Sequence, residues 1–234
     1  MDELDLLRDA PERAAVLLDV DGTLAPIVER PEDAAVPEET RTVLRDLVAR
    51  YALVAAVTGR PGALGRELVG VGGMEVVGSH GLELDPEADE WRSRLQAFRR
   101  TVDWPVEDKG LGLSYHYRTH EDPERARAEL ERIAERARSA GLRARFGRLV
   151  LELLPPVETD KGTAVHALLQ SPGLRRALFA GDDTTDLDAF AALDELEIGV
   201  KVAVASSEAP PDLIARADIV VAGPEGLVEL LRTL

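Results

Sequence analysis

The chain has 234 residues, 28 basic and 44 acidic side chains, a net charge of -16 at pH 7 and no cysteine. Its length suffices for one α/β domain with a smaller insert. The missing cysteine excludes disulfides, thiolate metal sites and a cysteine nucleophile. The acidic balance argues against nucleic acid as a partner, because nucleic-acid binding depends on a basic surface that neutralises phosphates.

The start of the chain, Met1-Asp2-Glu3, is acidic where a secretory signal would be basic. No apolar run approaches the roughly 20 residues that span a bilayer. We therefore expect a cytoplasmic protein with no membrane partner. We also expect a monomer or a weak homo-oligomer. If its substrate is an anion, the negative field of the protein repels it, so a cation is expected at the site.

Strands alternate with helices in the first third of the chain. The apolar run at residues 14–18 predicts a buried parallel strand, and residues 37–50 predict a helix. Further strands are predicted at 52–57 and 74–77, with a short helix between them. The same rhythm returns later, with predicted elements at 161–169, 176–180, 187–193, 197–204, 219–222 and 227–234. Such alternation predicts an α/β fold with a doubly wound parallel sheet.

The middle of the chain has a different pattern. Two amphipathic helices are predicted at 87–102 and 123–140, and strands of alternating polarity at 112–118, 142–146 and 149–153. Helices packed on one face of an antiparallel sheet fit this pattern. We predict an α+β insert at residues 84–154, within a core formed by residues 1–83 and 155–234.

The segment Leu-Asp-Val-Asp-Gly-Thr-Leu at 18–24 follows the first predicted strand and contains Asp19 and Asp21. Ligands of open α/β sheets bind beyond the carboxyl ends of strands, and two carboxylates there repel each other unless a cation lies between them. This predicts a hard cation, which we expect to be Mg2+. One carboxylate can attack phosphorus while the second protonates the leaving oxygen. The alternative, a solvated acidic turn, is disfavoured by the Gly-Thr-Leu that follows behind an apolar strand.

A second acidic segment follows a later strand. Residues 181–186 contain Asp182, Asp183 and Asp186, which offer further carboxylates to a metal and its surroundings. Alternatively, Asp186 caps the following helix, and both interpretations can hold together.

Two shorter signals complete such a site. Thr58 and Gly59 after the second strand can present a hydroxyl and backbone N–H groups to phosphate oxygens, and Lys161 at a helix start can add positive charge. Each signal alone is weak, because Thr-Gly is a common turn and an exposed lysine is usually solvated.

Together these four segments resemble the haloacid-dehalogenase-type phosphatases, in their order and in their placement after successive strands. The resemblance implies that Asp19 is the nucleophile, that Asp21 is the general acid and base, and that Thr58 and Lys161 hold the phosphoryl group. The implied Mg2+ ligands are Asp19, the backbone carbonyl of Asp21, and Asp182, with Asp183 or Asp186 behind them.

In that family, an insert at this place is a cap that closes over the site and recognises the leaving group. The insert contains Glu-Asp-Lys-Gly at 107–110 and His-Tyr-Arg at 116–118. With Gly-Ser-His-Gly at 78–81 before it and Asp-Lys-Gly at 160–162 after it, the pattern resembles the trehalose-6-phosphate phosphatase branch. The implied substrate-binding residues are Gly59, Arg60, His80, Glu107, Lys109, His116, Arg118 and Glu152. Alternatively, the charged residues of the insert are ordinary surface charges and His116 is a packed histidine.

The resemblance therefore implies Mg2+-dependent hydrolysis of trehalose 6-phosphate through an aspartyl-phosphate. The segment 206–217 looks more like that of general sugar phosphatases, and Thr58 stands where serine is common. A phosphatase or phosphomutase for another sugar phosphate, such as mannosyl-3-phosphoglycerate or sucrose phosphate, is one alternative. A metal- or sugar-binding module without catalysis is another. A P-loop enzyme is disfavoured because no Gly-x-x-x-x-Gly-Lys-Ser/Thr segment exists.

Overall fold

The structure, a computed structural model, describes residues 3–28, 30–118, 120–147, 149–171, 173–207 and 209–234. The chain divides into two compact units. The core unit comprises Met1–Gly81 and Thr159–Leu234, and the insert unit comprises Leu82–Glu158. Within the described ranges, no helix combines the length and apolar composition that crossing a membrane requires.

The described part of the chain contains ten strands and nine α-helices. The strands are β1 Ala14–Leu18, β2 Leu53–Val57, β3 Glu75–Val77, β4 Glu107–Asp108, β5 Leu113–His116, β6 Arg143–Gly147, β7 Val150–Leu154, β8 Arg176–Gly181, β9 Ile198–Ala205 and β10 Ile219–Ala222. The helices are α1 Glu3–Arg8, α2 Glu38–Arg50, α3 Gly62–Val69, α4 Ala88–Arg99, α5 Pro123–Ser139, α6 Lys161–Leu169, α7 Asp186–Leu193, α8 Pro211–Arg216 and α9 Gly223–Arg232.

The core unit is built on a six-stranded sheet in the order β10-β9-β8-β1-β2-β3, with all neighbours parallel. The chain leaves β1 toward β2 on one side and returns to β8 on the other. Strand order thus reverses at β1, and the crevice beyond the carboxyl ends of β1 and β8 is where such sheets bind ligands.

Both faces of this sheet are covered. Successive residues of β1 are fully buried and alternate between two hydrophobic clusters, as the two-residue period of a strand requires. One cluster includes Leu44 of α2 and Leu231 of α9, and the other includes Val165 of α6 and Phe190 of α7. The predicted doubly wound α/β fold is therefore confirmed.

The end of the chain differs from the sequence prediction. A helix was expected at 227–234, but α9 runs from Gly223 to Arg232. Pro224 lies in its first turn, where proline costs no hydrogen bond and has a suitable φ. The predicted bounds were therefore wrong, while the helix itself is present.

The insert unit has an antiparallel sheet in the order β4-β5-β7-β6. One face packs on α4 and α5 in a cluster that includes Leu95, Tyr115 and Leu130, all fully buried. Residues at alternate positions on the other face include Ser114 and Glu152, which are cross-strand partners. The predicted α+β arrangement is thus present between Leu82 and Glu158, and its action as a cap stays a prediction.

Candidate active site

Three buried carboxylates meet at the edge of the core sheet. Asp19 follows β1, Asp182 follows β8, and Asp186 begins α7. Each offers an oxygen within 4.8 Å of the others, and all three side chains are buried. Because β1 and β8 are parallel neighbours, their carboxyl ends bring Asp19 and Asp182 together.

Lys161 lies among these carboxylates. It is the first residue of α6, whose N-cap Asp160 accepts a hydrogen bond from the backbone N–H of Thr163. Its ammonium group donates to Oδ1 of Asp19 and to Oδ1 of Asp186, at 2.6 Å each. The lysine is only 3% exposed, so these ion pairs form away from bulk water.

The charges of this cluster do not balance. Burial raises the pKa of Asp19 well above its ordinary value, and Asp186 adds to the effect while Lys161 opposes it. Burial and the repulsion of Asp186 raise the pKa of Asp182 to about 6. Burial by itself would lower the pKa of Lys161, but the attraction of Asp19 and Asp186 outweighs it and raises that pKa. One lysine that keeps its proton cannot neutralise three carboxylates, so the cluster suits an added cation.

Asp186 binds protein donors with both of its oxygens. Oδ1 accepts from Lys161, and Oδ2 accepts the backbone N–H groups of Asp182 and Asp183 at 2.9 Å each. The expectation that Asp186 caps α7 was wrong, since the N-cap is Thr185 and makes no side-chain capping bond. Asp186 instead holds the loop that carries Asp182, which leaves Asp19 and Asp182 with oxygens available to a metal.

The oxygen ligands expected for Mg2+ are therefore present. Carboxylates suit hard cations of this kind, and the Asp182 carboxylate faces the backbone of Gly22. A Cβ at Gly22, whose φ is +84°, would lie 2.0 Å from Oδ2 of Asp182. Asp183 is exposed, and its Oδ1 accepts the backbone N–H of Thr184 at 2.6 Å. Asp183 lies outside the buried cluster, so its role as a ligand stays a prediction.

Asp21 lies apart from the three clustered carboxylates. Its Oδ2 accepts from Nε of Arg60 and its Oδ1 from Nη2 of Arg60, at 2.7 Å each. The hydrogen bonds of Arg60 to Asp21 raise the pKa of the guanidinium. The prediction that Arg60 binds substrate is not tested by this geometry, which shows that the guanidinium binds Asp21.

A cavity of about 450 Å³ opens over the site. It is lined by Asp19, Asp21, Ile27, Gly59, His80, Lys161, Asp182, Asp183, Thr185 and Ser206. The sequence reasoning missed Ile27, Thr185 and Ser206. The position of Ser206 directly after β9, at the same sheet edge as the aspartates, was the available signal for it.

The turn after β2 is tightly built. Thr58 is fully buried, and its hydroxyl oxygen accepts the backbone N–H of Arg60 at 3.1 Å. Gly59 lets His80 approach, because a Cβ at Gly59 would lie 2.5 Å from Nε2 of His80. His80 itself has a positive φ of 52°, a conformation that costs free energy in a non-glycine residue. Thr58 thus shapes the turn, while Gly59 and His80 line the cavity.

The predicted sugar-binding residues of the insert unit lie on and beside its sheet. Oε2 of Glu107 lies 2.9 Å from Nε2 of His116 and 3.7 Å from Nζ of Lys109. Glu152 accepts two hydrogen bonds from Arg145, at 3.1 and 2.6 Å. Arg118 follows β5 and is exposed. Ser114 is the strand partner of both Glu107 and Glu152, so these two carboxylates lie on one face of the sheet.

The arrangement of sheet and carboxylates matches solved structures of one fold. A structure described as a trehalose-6-phosphate phosphatase related protein superposes with a TM-score of 0.70 at 24% identity, covering 94% of this chain and 96% of that one. A haloacid dehalogenase-like hydrolase from Bacteroides thetaiotaomicron superposes with a TM-score of 0.60 at 16% identity, covering 94% of this chain and 98% of that one. The protein therefore has the haloacid dehalogenase-like fold.

The sequence comparisons define the family. The family model described as Trehalose-phosphatase matches residues 17–213. The chain belongs to the trehalose-phosphatase family. It is 35% identical to the trehalose-phosphate phosphatase of Mycobacterium avium (strain 104), over 79% of this chain and 52% of that protein. The chain spans 16% of the length of an uncharacterized glycosyl hydrolase of Mycobacterium tuberculosis and 62% of a probable trehalose-phosphate phosphatase of Arabidopsis thaliana, two further curated relatives.

Proposed function

We propose that this chain is a phosphatase that hydrolyses trehalose 6-phosphate to trehalose and phosphate, with Mg2+ as its cofactor. The observation that carries the proposal is the meeting of Asp19, Asp182 and Lys161 in one cavity, in a chain of the trehalose-phosphatase family. This meeting supports the proposal, because carboxylate oxygens can serve as a nucleophile and as ligands of a cation, and a buried ammonium group lies beside them.

In the proposed reaction, a carboxylate oxygen of Asp19 attacks the phosphorus, and the bond from phosphorus to the O6 oxygen of the sugar breaks. The product is an aspartyl-phosphate on Asp19. Lys161 lies 2.6 Å from that carboxylate, so its fixed positive charge stabilises the negative charge that spreads over the phosphoryl oxygens.

Asp19 and Asp182 would hold Mg2+. When bound, the ion supplies positive charge to the phosphoryl oxygens and offsets the mutual repulsion of the carboxylates. The net charge of -16 repels an anionic substrate. The bound ion would offset this repulsion, because it makes the potential at the site locally positive.

Asp21 would transfer the protons. As the acid it gives its proton to the leaving O6 oxygen, so that the free sugar departs as an alcohol. As the base it then takes a proton from the water that attacks the aspartyl-phosphate, which releases phosphate and restores the acid. Its carboxylate lines the same cavity as Asp19, which supports this role.

The insert unit would recognise the sugar. A disaccharide requires many directed hydrogen bonds, and charged side chains make the strongest ones. Glu107 and Glu152 lie on one sheet face with His116 and Lys109 close to Glu107. This concentration of charged hydrogen-bonding groups supports a role in binding sugar hydroxyls.

Phosphate release from a panel of sugar phosphates tests the proposal. The panel contains trehalose 6-phosphate, glucose 6-phosphate, sucrose phosphate and mannosyl-3-phosphoglycerate, each assayed with Mg2+ and with a chelator. We expect a large preference in kcat/KM for trehalose 6-phosphate and loss of release with the chelator. Comparable turnover of all four would overturn the substrate, and release from none of them would overturn the phosphatase.

A further inference from the structure

The side chains of Arg60 and Asp21 form a two-point ion pair across the edge of the core sheet. Asp21 follows β1 and Arg60 follows β2, and two separate N–H groups of the guanidinium reach the two carboxylate oxygens at 2.7 Å each. Such a contact fixes the rotation of the carboxylate as well as its distance, because the guanidinium is planar and its donors form a rigid fork.

The backbone of Arg60 is fixed on both sides. Its N–H donates to the hydroxyl oxygen of Thr58 at 3.1 Å, and its carbonyl accepts the N–H of Ser79 at 2.8 Å. The side chain of Arg60 is 22% exposed, against 42% for Asp21. The ion pair therefore joins an arginine whose backbone is fixed by hydrogen bonds to a carboxylate that is accessible to solvent.

Arg60 and Asp21 face different cavities. Asp21 lines the cavity that contains Asp19, whereas Arg60 is among the residues lining a second cavity of about 510 Å³, together with Leu64 and Glu67. The guanidinium thus contacts Asp21 from beside the catalytic cavity. A carboxylate oxygen has two lone-pair sites, so its bonds to Arg60 leave further sites on Asp21 for a leaving oxygen or a water.

We propose that Arg60 is a positioning residue: it holds the Asp21 carboxylate in the orientation that proton transfer needs, and it does not bind the phosphoryl group. This inference rests on the proposed function of Asp21 as the general acid and base. The sequence predicts that Arg60 binds the substrate. We infer instead that Arg60 acts on the reaction through the Asp21 carboxylate.

The test uses leaving groups of different basicity. The alkoxide of a sugar is strongly basic and needs a proton as it departs, whereas p-nitrophenolate leaves without one. The ratio kcat/KM reports the steps up to formation of the aspartyl-phosphate. A residue that positions the acid therefore affects a sugar phosphate more than p-nitrophenyl phosphate, and a residue that binds the phosphoryl group affects both equally.

For Arg60→Gln we expect kcat/KM for trehalose 6-phosphate to fall by about 100-fold, within the range of acid catalysis, and that for p-nitrophenyl phosphate to fall by less than about 5-fold. KM for the sugar phosphate should change little, and Arg60→Lys should lie between Gln and the wild type. Arg66→Gln, on α3, is the matched control and should have no effect. Melting temperatures establish that each variant is folded. If Arg60→Gln does not fold, the same comparison of the two substrates is made with Arg60→Lys.

A double-variant cycle gives an independent readout. If Arg60 acts through Asp21, Asp21→Asn shows the same dependence on leaving group, and adding Arg60→Gln to it causes little further loss. Equal losses with both substrates, a rise in KM at constant kcat, or additive losses in the double variant would each overturn the inference. Failure of the wild type to release phosphate from either substrate would instead overturn the proposed function. If the wild type prefers another sugar phosphate, that compound replaces trehalose 6-phosphate in the comparison.

Discussion

The ammonium nitrogen of Lys161 lies 2.6 Å from Oδ1 of Asp19, although 142 positions of the chain separate the two residues. Lys161 begins α6 and Asp19 directly follows β1, so this ion pair joins the two segments of the core unit that flank the insert. Both side chains are almost completely buried. The same contact thus serves the stability of the core unit and the proposed chemistry.

Replacement of this lysine should destabilise the protein strongly. Lys161→Met removes the cation from three buried carboxylates, and breaking a buried ion pair typically costs about 3–5 kcal/mol. Lys201→Met is the control, because Lys201 pairs with Asp194, whose side chain is 64% exposed, and such pairs contribute about 1 kcal/mol or less. Urea unfolding of both variants measures the difference. Equal losses would contradict the importance of the buried cluster.

Mg2+ should stabilise the folded protein. A ligand at 100 times its dissociation constant adds about 2.7 kcal/mol, which raises the melting temperature and is reversed by a chelator. Asp182→Asn should abolish most of this shift because it removes a buried carboxylate that we propose as a ligand of the ion. Asp183→Asn should keep most of it, because Oδ1 of Asp183 accepts a backbone N–H outside the buried cluster. Equal effects of the two variants, measured by thermal unfolding with and without Mg2+, would argue against this assignment.

Tyr115 should make the stability of the folded protein depend on pH in the alkaline range. Burial raises its pKa to about 12, and its buried hydroxyl has no hydrogen-bond partner among the described residues. The unfolded chain loses this proton near the ordinary pKa of 10.0, so the wild type loses stability as pH rises from about 10 to 12. Tyr115→Phe should be at least as stable at pH 7 and should gain about 1 kcal/mol over the wild type by pH 11. Urea unfolding at both pH values measures this gain, and a constant difference would contradict it.

The sequence predicted the fold where hydrophobic patterns are long and regular. The apolar run before Asp19 predicted β1 at residues 14–18, and α6 was predicted at 161–169, as observed. The two-residue strand β4 was not predicted, because Glu107–Asp108 is polar and too short to show a period. No helix was predicted at α8, which has only six residues and carries Pro211 in its first turn, where proline is compatible with a helix.

The candidate site was predicted only in part for a similar reason. The rule that ligands bind at the carboxyl ends of strands brings Asp19 and Asp182 together from sequence alone. The rule does not predict that Oδ2 of Asp186 accepts the backbone N–H groups of residues 182 and 183. It also does not predict that the guanidinium of Arg60 binds the carboxylate of Asp21. Those contacts depend on the exact course of loops, which no local pattern encodes.

Phosphate release by Asp19→Asn tests the central claim most directly. The variant keeps the size of the side chain but removes the carboxylate that we propose as the nucleophile. With Mg2+ and trehalose 6-phosphate, we expect its kcat to fall by at least about 1,000-fold while its melting temperature shows a folded protein. Release at the rate of the wild type from a folded Asp19→Asn variant would contradict the account.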